Sequence, residues 1–154
     1  MENYRQFGGL GVNWLVFGSS GHLHKAEVPQ LYRFLMRSDL HFLPNRHIKS
    51  IVQPRHVKAA YQPHYFRYKK GRFCINENGS PIVGYESEVS VDKIQINHYY
   101  CRSKEEYREK INRGRSDIEE SRSMDAFYAH DKDANVVEDR TILKVLSGWQ
   151  GKEN

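Results

Sequence analysis

Cysteine is scarce in this chain. Among its 154 residues only Cys74 and Cys101 occur, with no CxxC spacing. That excludes a disulfide-stapled scaffold and reads as two reduced thiols. No apolar run approaches ~18 residues, so no transmembrane helix is encoded within this stretch. The opening MENYRQFGG lacks the basic-then-apolar order of a secretory signal. Both absences speak for this stretch alone. No two histidines stand at i,i+4 and no HExxH string occurs, which argues against a zinc hydrolase; His24, His41, His47, His56 and His130 carry no ligand pattern. Internal repeats and low-complexity tracts are absent too. Apolar residues are sparse, at 38% with a mean hydropathy of −0.79. A chain of this length ordinarily buries roughly 68–70% of its unfolded surface. This composition is lean for a core that stands alone, and half of a larger fold would leave an apolar sheet edge or face open.

Basic residues outnumber acidic ones, 24 to 19, for a net charge of +5 and a pI near 9.2. A basic balance suits an anionic partner: a nucleotide sugar, a nucleic acid or a membrane surface. The positive residues are dispersed, with clusters only at Arg67-Tyr68-Lys69-Lys70 and Arg113-Gly114-Arg115. No nucleic-acid module string accompanies them, so no nucleic-acid partner is expected.

The richest stretch is NWLVFGSSGH, from Asn13 to His22. An apolar strand (Trp14, Leu15, Val16, Phe17) runs into Gly18-Ser19-Ser20-Gly21. Two glycines allow positive φ or close approach of a ligand, and a strand ending in such a turn is a common place to build a site. A plain strand-to-helix loop is the competing reading. Beyond it, Val28, Leu31, Phe34 and Leu35 predict a helix over 27–37, with Pro29 in its first turn. A polar loop over 38–46 leads to a strand over 48–52, ended by Pro54. Asn78-Gly79 between 72–77 and 80–85 predicts a hairpin, with Pro81 at a sheet edge. Residues 89–100 read as a strand with Ile94, Ile96, His98 and Tyr100 on one face. Ser103 and Glu106 form a capping box for a helix that Gly114 stops after Arg113. The polar segment 115–135 has room for a short helix capped by Ser123, and a last helix starts near Asp139.

Four strings, GGLGVNWLVFGSSGH (8–22), HIKSIVQP (47–54), DKIQINHYYCRSKEEYREKINRG (92–114) and ANVVEDRTIL (134–143), together resemble the glycosyltransferases of family 92 and the related family-2-like bacterial transferases. The resemblance implies an α/β chain, the C-terminal portion of a GT-A (Rossmann-like) fold, with a mixed sheet, flanking helices and a β-hairpin. It implies one partial domain over 1–150 followed by a polar tail at 151–154. Its implied activity is transfer of a hexose, galactose the first candidate, from a nucleotide-diphosphate sugar to a glycan acceptor. Such enzymes place an Asp-x-Asp metal motif upstream of the first string, whereas the single Asp-x-Asp here, Asp131 to Asp133, lies near the C-terminus. The expectation is therefore the acceptor-side half, with Mn²⁺ or Mg²⁺ in the complete enzyme and no tight metal binding by this chain alone. The compartment stays open: the cytoplasmic side or a membrane association for a bacterial parent, the Golgi lumen for a eukaryotic one. A non-catalytic carbohydrate-binding remnant is the alternative from another class.

Under this resemblance Glu27 is the general base, since an inverting transfer needs a carboxylate within ~3 Å of the acceptor hydroxyl; Ala26 and Val28 stand where the family has proline and glycine. Its competing role is a first-turn acid favouring the helix dipole, worth only ~0.3–1 kcal/mol. His98 is the metal ligand, between Asn97 and Tyr99, and imidazole suits Mn²⁺ when carboxylates complete the set; a half-buried structural histidine is the rival. Trp14, Phe17 and His22 read as walls of the acceptor site, with Gly18, Ser19, Ser20 and Gly21 supplying close approach and hydroxyls. Lys49 is a phosphate contact or a solvated lysine. His64, in Pro63-His64, matches a family step without an assignable role.

Overall fold

The computed structural model describes residues 4–114 and 122–150. It is a mixed α/β structure, and it divides into two compact units. The first comprises 4–15 and 40–97, the second 16–39 with 98–114 and 122–150. The chain passes between them inside β1 (Gly9–Phe17) and inside β8 (Ile96–Tyr99).

In the first unit β1 pairs antiparallel with β3 (Ile48–Val52), in a register that sets Gly9 against Val52 and Asn13 against Ile48. It pairs parallel with β6 (Cys74–Ile75), which carries β7 (Pro81–Ile82) antiparallel at the sheet's edge. Ile48, Cys74 and Ile82 form the buried cluster beneath, with Tyr68 packed on it. The predicted hairpin is present. Its tip is held by Gly79 N–H donating to the Asn76 carbonyl at 3.0 Å, and Pro81 occupies the edge as expected, where its missing N–H breaks no ladder. A second, two-stranded sheet of β4 (Val57–Gln62) and β5 (Tyr65–Tyr68) is joined by Pro63-His64; the sequence reading assigned no strand there.

The strand expected over 89–100 is corrected to the four residues of β8. The physical reason is Glu77, which is 3% exposed. Its carboxylate accepts the N–H groups of Asp92 (2.9 Å), Lys93 (2.9 Å) and Ile94 (2.8 Å) and the Ser90 hydroxyl (2.7 Å). Backbone donors that a strand would offer to a ladder are curled around one side chain. Buried Asn13 ties the same segment down: its amide donates to the carbonyls of Asn45 and Arg46, and its oxygen accepts from Ser87 Oγ and Ser90 N–H.

In the second unit the end of β1 pairs with β2 (Met36–Arg37), and β2 with β9 (Val137–Glu138). The helix expected over 27–37 is corrected to α1 (Gln30–Arg33). A lone short helix nucleates poorly, and Met36 and Arg37 instead gain ladder partners in β1 and β9. Phe34, not a full stripe, supplies the burial, at 0% exposure, while Val28 is 52% exposed. Helix α2 (Lys104–Arg113) opens on the Ser103–Glu106 capping box and stops at Gly114, and α3 (Met124–Asp133) is capped by Ser123, both as read. Helix α4 (Thr141–Gln150) follows Asp139, whose carboxylate accepts the Thr141 N–H at 2.9 Å. Cys101, Tyr107 and Phe127 pack where α2 meets α3. Both cysteines are free and buried. No helix among the described residues is long and apolar enough to cross a membrane.

Candidate functional site

The Gly/Ser turn is built from outside itself. Gly18 N–H donates to the carbonyls of Met36 and Ala134, both at 3.0 Å. Ser19 gives its N–H to Asp131 Oδ1 at 2.6 Å and its hydroxyl to Asp131 Oδ2 at 2.8 Å, and Ser20 N–H donates to Asn135 Oδ1 at 2.8 Å. Ser20 Oγ accepts from Met36 N–H. The hydroxyls expected to face a sugar are thus engaged within the protein, and Ser19 is 4% exposed. Asp131, the misplaced first member of the Asp-x-Asp, is the clamp on this turn. Its charge also acts on Cys101: burial, then the Asp131 carboxylate, push that thiol well above its usual range. A Cβ on Gly18 would stand 2.5 Å from the Ala134 carbonyl oxygen, a backbone atom that cannot swing aside. Gly18→Ala is therefore expected to destabilise the protein by about 2 kcal/mol, as overpacking does, read as a lower urea midpoint at unchanged m-value. Gly21 holds φ of 77° and Ser20 of 50°, so the turn closes through left-handed backbone.

Beyond the turn every residue from Gly21 to Pro29 is exposed, yet the backbone is fixed. Lys104 N–H donates to the His22 carbonyl and Glu105 N–H to that of Leu23, while Lys25 N–H donates to Glu105 Oε2 at 2.8 Å. Arg33, 8% exposed, sends its guanidinium to the carbonyls of His24 and Ala26 and pairs with Glu106 at 3.3 Å. The capping box of α2 thus holds the loop that displays His22, His24, Lys25 and Glu27. Glu27 lies in a bend ahead of α1, whose first turn carries no acidic residue, so the helix-dipole role is corrected. His22 Nε2 stands 3.0 Å from the Arg33 carbonyl; a carbonyl only accepts, so Nε2 carries a proton toward it. Phe17, expected as a wall, is fully buried with its ring against Tyr99 at 5.2 Å. Tyr99 also meets Phe34 at 6.3 Å. His98 packs beside Tyr100, ring centroids 5.9 Å apart, and Asn97 precedes it in β8, accepting from Gln95 at 2.6 Å.

The first unit assembles a different cluster. Half-buried Trp14 stacks on His47 (5.4 Å, 7°) and meets His64 edge-on at 5.2 Å, with Lys49 Nζ 5.7 Å over its ring. Its indole N–H donates to the Pro44 carbonyl at 2.6 Å. His64 finds its place as the hairpin turn of β4 and β5: its Nδ1 lies 2.8 Å from the Ile48 carbonyl, and its own carbonyl accepts from Ser50. Burial lowers the His64 pKa, the Ile48 carbonyl raises it, and the nearby Lys49 and His47 lower it further. The imidazole is neutral at pH 7, with the proton on Nδ1 and a lone pair on Nε2. Sequence reasoning missed His47 and Tyr85, which packs on His47 at 5.4 Å. The signal for His47 was present: once Asn13 opposes Ile48, Trp14 must oppose His47 across the strands.

Among the described residues no group of three or more His, Cys, Asp or Glu could hold a metal ion. No protein-family model, curated protein or solved structure matches the chain.

Proposed function

We propose that this chain is the acceptor-side portion of a GT-A type glycosyltransferase, carrying a hexose from a nucleotide-diphosphate donor to a glycan hydroxyl. The observation that carries the reading is the loop over 22–27, wholly exposed yet pinned by Arg33 and by the first turn of α2. A rigid scaffold under an accessible polar loop is what acceptor positioning requires. In this reading Glu27 takes the proton of the acceptor hydroxyl as its oxygen bonds to the anomeric carbon, and the nucleotide diphosphate leaves with the electrons of the broken C–O bond. Taken by itself, the first unit presents Trp14 with Lys49 and the His64 Nε2 lone pair beside it, a pairing of apolar face and fixed polar groups of the kind that suits a sugar ring.

Titration with a panel of neutral oligosaccharides at two salt concentrations tests this. The expected result is saturable binding that barely responds to salt and weakens about tenfold, or ~1.4 kcal/mol, in His22→Ala. A nucleic-acid site with several phosphate contacts would instead lose about 10³–10⁵ in affinity between 50 and 200 mM salt. Absence of glycan binding, or that steep salt loss with an oligonucleotide, overturns the proposal.

A further inference from the structure

We infer that the second unit carries a binding site for a phosphoryl- or sulfuryl-type oxyanion, held by Arg102, Lys110 and Arg113. It stands independently of the sugar-transfer reading, because it rests on a separate cleft and its own charge pattern. The cleft, of about 150 Å³, lies along α2 and is lined by four cations, Lys25, Arg102, Lys110 and Arg113, and by Glu106 and Glu109. The two carboxylates are already engaged: Glu106 with Arg33 at 3.3 Å, Glu109 with Lys25 at 3.5 Å. What remains is Arg102, Lys110 and Arg113, with no carboxylate paired to any of them among the described residues. Arg122 adds a fourth positive charge close by, anchored through the Gly114 carbonyl at 3.0 Å.

Lys110 is the centre of this group. Its ammonium donates to the Tyr100 carbonyl at 2.9 Å and lies 4.5 Å over the Tyr100 ring and 5.2 Å over the Tyr107 ring. Burial, then the charges of Arg122, Arg102 and Arg113, bring its pKa down to about 8, while Cys101 pulls the other way. Like charges gathered where the neighbouring carboxylates are already paired to other cations repel, more strongly where water is partly excluded. An oxyanion relieves that repulsion and gives each cation an acceptor. Guanidinium forks match the edges of tetrahedral oxyanions, and charge-assisted bonds of this kind are short and strong. The arginines at 102 and 113 are exposed to solvent, while Lys110, half-buried, lines the same cleft. Two sources share this chemistry: a diphosphate, as on an activated sugar, and a phosphate or sulfate substituent on a glycan.

Calorimetric titration of the whole chain with inorganic pyrophosphate, glucose 6-phosphate and sulfate, at matched ionic strength, tests the site. Saturable binding of at least one probe is expected, with amide chemical shifts confined to 99–113. The double variant Arg102→Gln/Arg113→Gln should lose about tenfold or more in affinity, while Arg108→Gln/Lys144→Gln, which removes the same charge elsewhere, should not. A preference for pyrophosphate assigns the diphosphate source; a preference for glucose 6-phosphate or sulfate assigns the glycan substituent. No saturable binding, shifts scattered over the surface, or equal losses in the two double variants would overturn the site. The shift map on the unmodified protein decides the matter even where a variant folds poorly.

Discussion

Glu77→Gln is expected to lower the unfolding free energy by about 3 kcal/mol, because it breaks a buried set of hydrogen bonds to a charged acceptor. The carboxylate takes three backbone N–H groups and the Ser90 hydroxyl, and Lys93 Nζ donates to the backbone carbonyl of Glu77 at 3.2 Å. An amide in its place turns an NH₂ toward donors, leaving at least one buried N–H without an acceptor. The pH dependence follows. Burial pushes the Glu77 carboxyl up, but the Ser90 hydroxyl and the N–H groups of Ile94, Lys93 and Asp92 outweigh it and hold the pKa below the usual range. A depressed folded-state pKa adds stability that is complete above the unfolded value, near 4.3, and is lost as pH falls through the folded value. The gap between the natural protein and Glu77→Gln should therefore be full at pH 7 and shrink in acid below about pH 4. Urea unfolding at a series of pH values measures it. A gap that stayed constant into acid would mean that the carboxylate charge does not hold the 90–94 segment.

Glu27→Gln in the complete transferase that the proposal implies should cut turnover about 10²-fold or more, with donor affinity and stability nearly unchanged. The structure makes this a clean substitution. Glu27 is exposed, sits in a bend and lies outside α1, so its removal costs no cap and no core contact; surface changes of that sort usually stay within about 0.5 kcal/mol. A loss confined to kcat, with KM for the donor held, marks an interaction made in the transition state. Ordinary turnover would transfer the base role to another group and leave the carbohydrate-binding remnant as the better reading.

What could be read from the sequence was what is encoded locally. The Ser103–Glu106 box and Gly114 bound α2 because a cap and a stop lie within the helix's own turns. Asn78-Gly79 marked the hairpin for the same reason. The failures share a different cause. Val89 to Gln95 has strand composition, but its N–H groups answer to Glu77, more than a dozen residues upstream. Residues 27–37 have a helical stripe, yet Met36 and Arg37 are claimed by Val137 and Glu138, a hundred residues away. At the candidate site the Gly18–Gly21 turn was visible and the partners that freeze it, Asp131 and Asn135, were not, since nothing local marks them. Asp131 drew attention as a displaced metal motif and proves to hold a loop. Trp14 was legible as an aromatic at a strand end; its companions His47 and His64 required the β3 register and the Pro63-His64 turn.

The exposed loop over 22–27 as an acceptor platform is the central claim, and amide chemical-shift mapping with a neutral oligosaccharide tests it most directly. The account predicts saturating shifts at Gly21 to Val28, produced by neutral sugar and retained at high salt. Saturation elsewhere with this loop silent would contradict it.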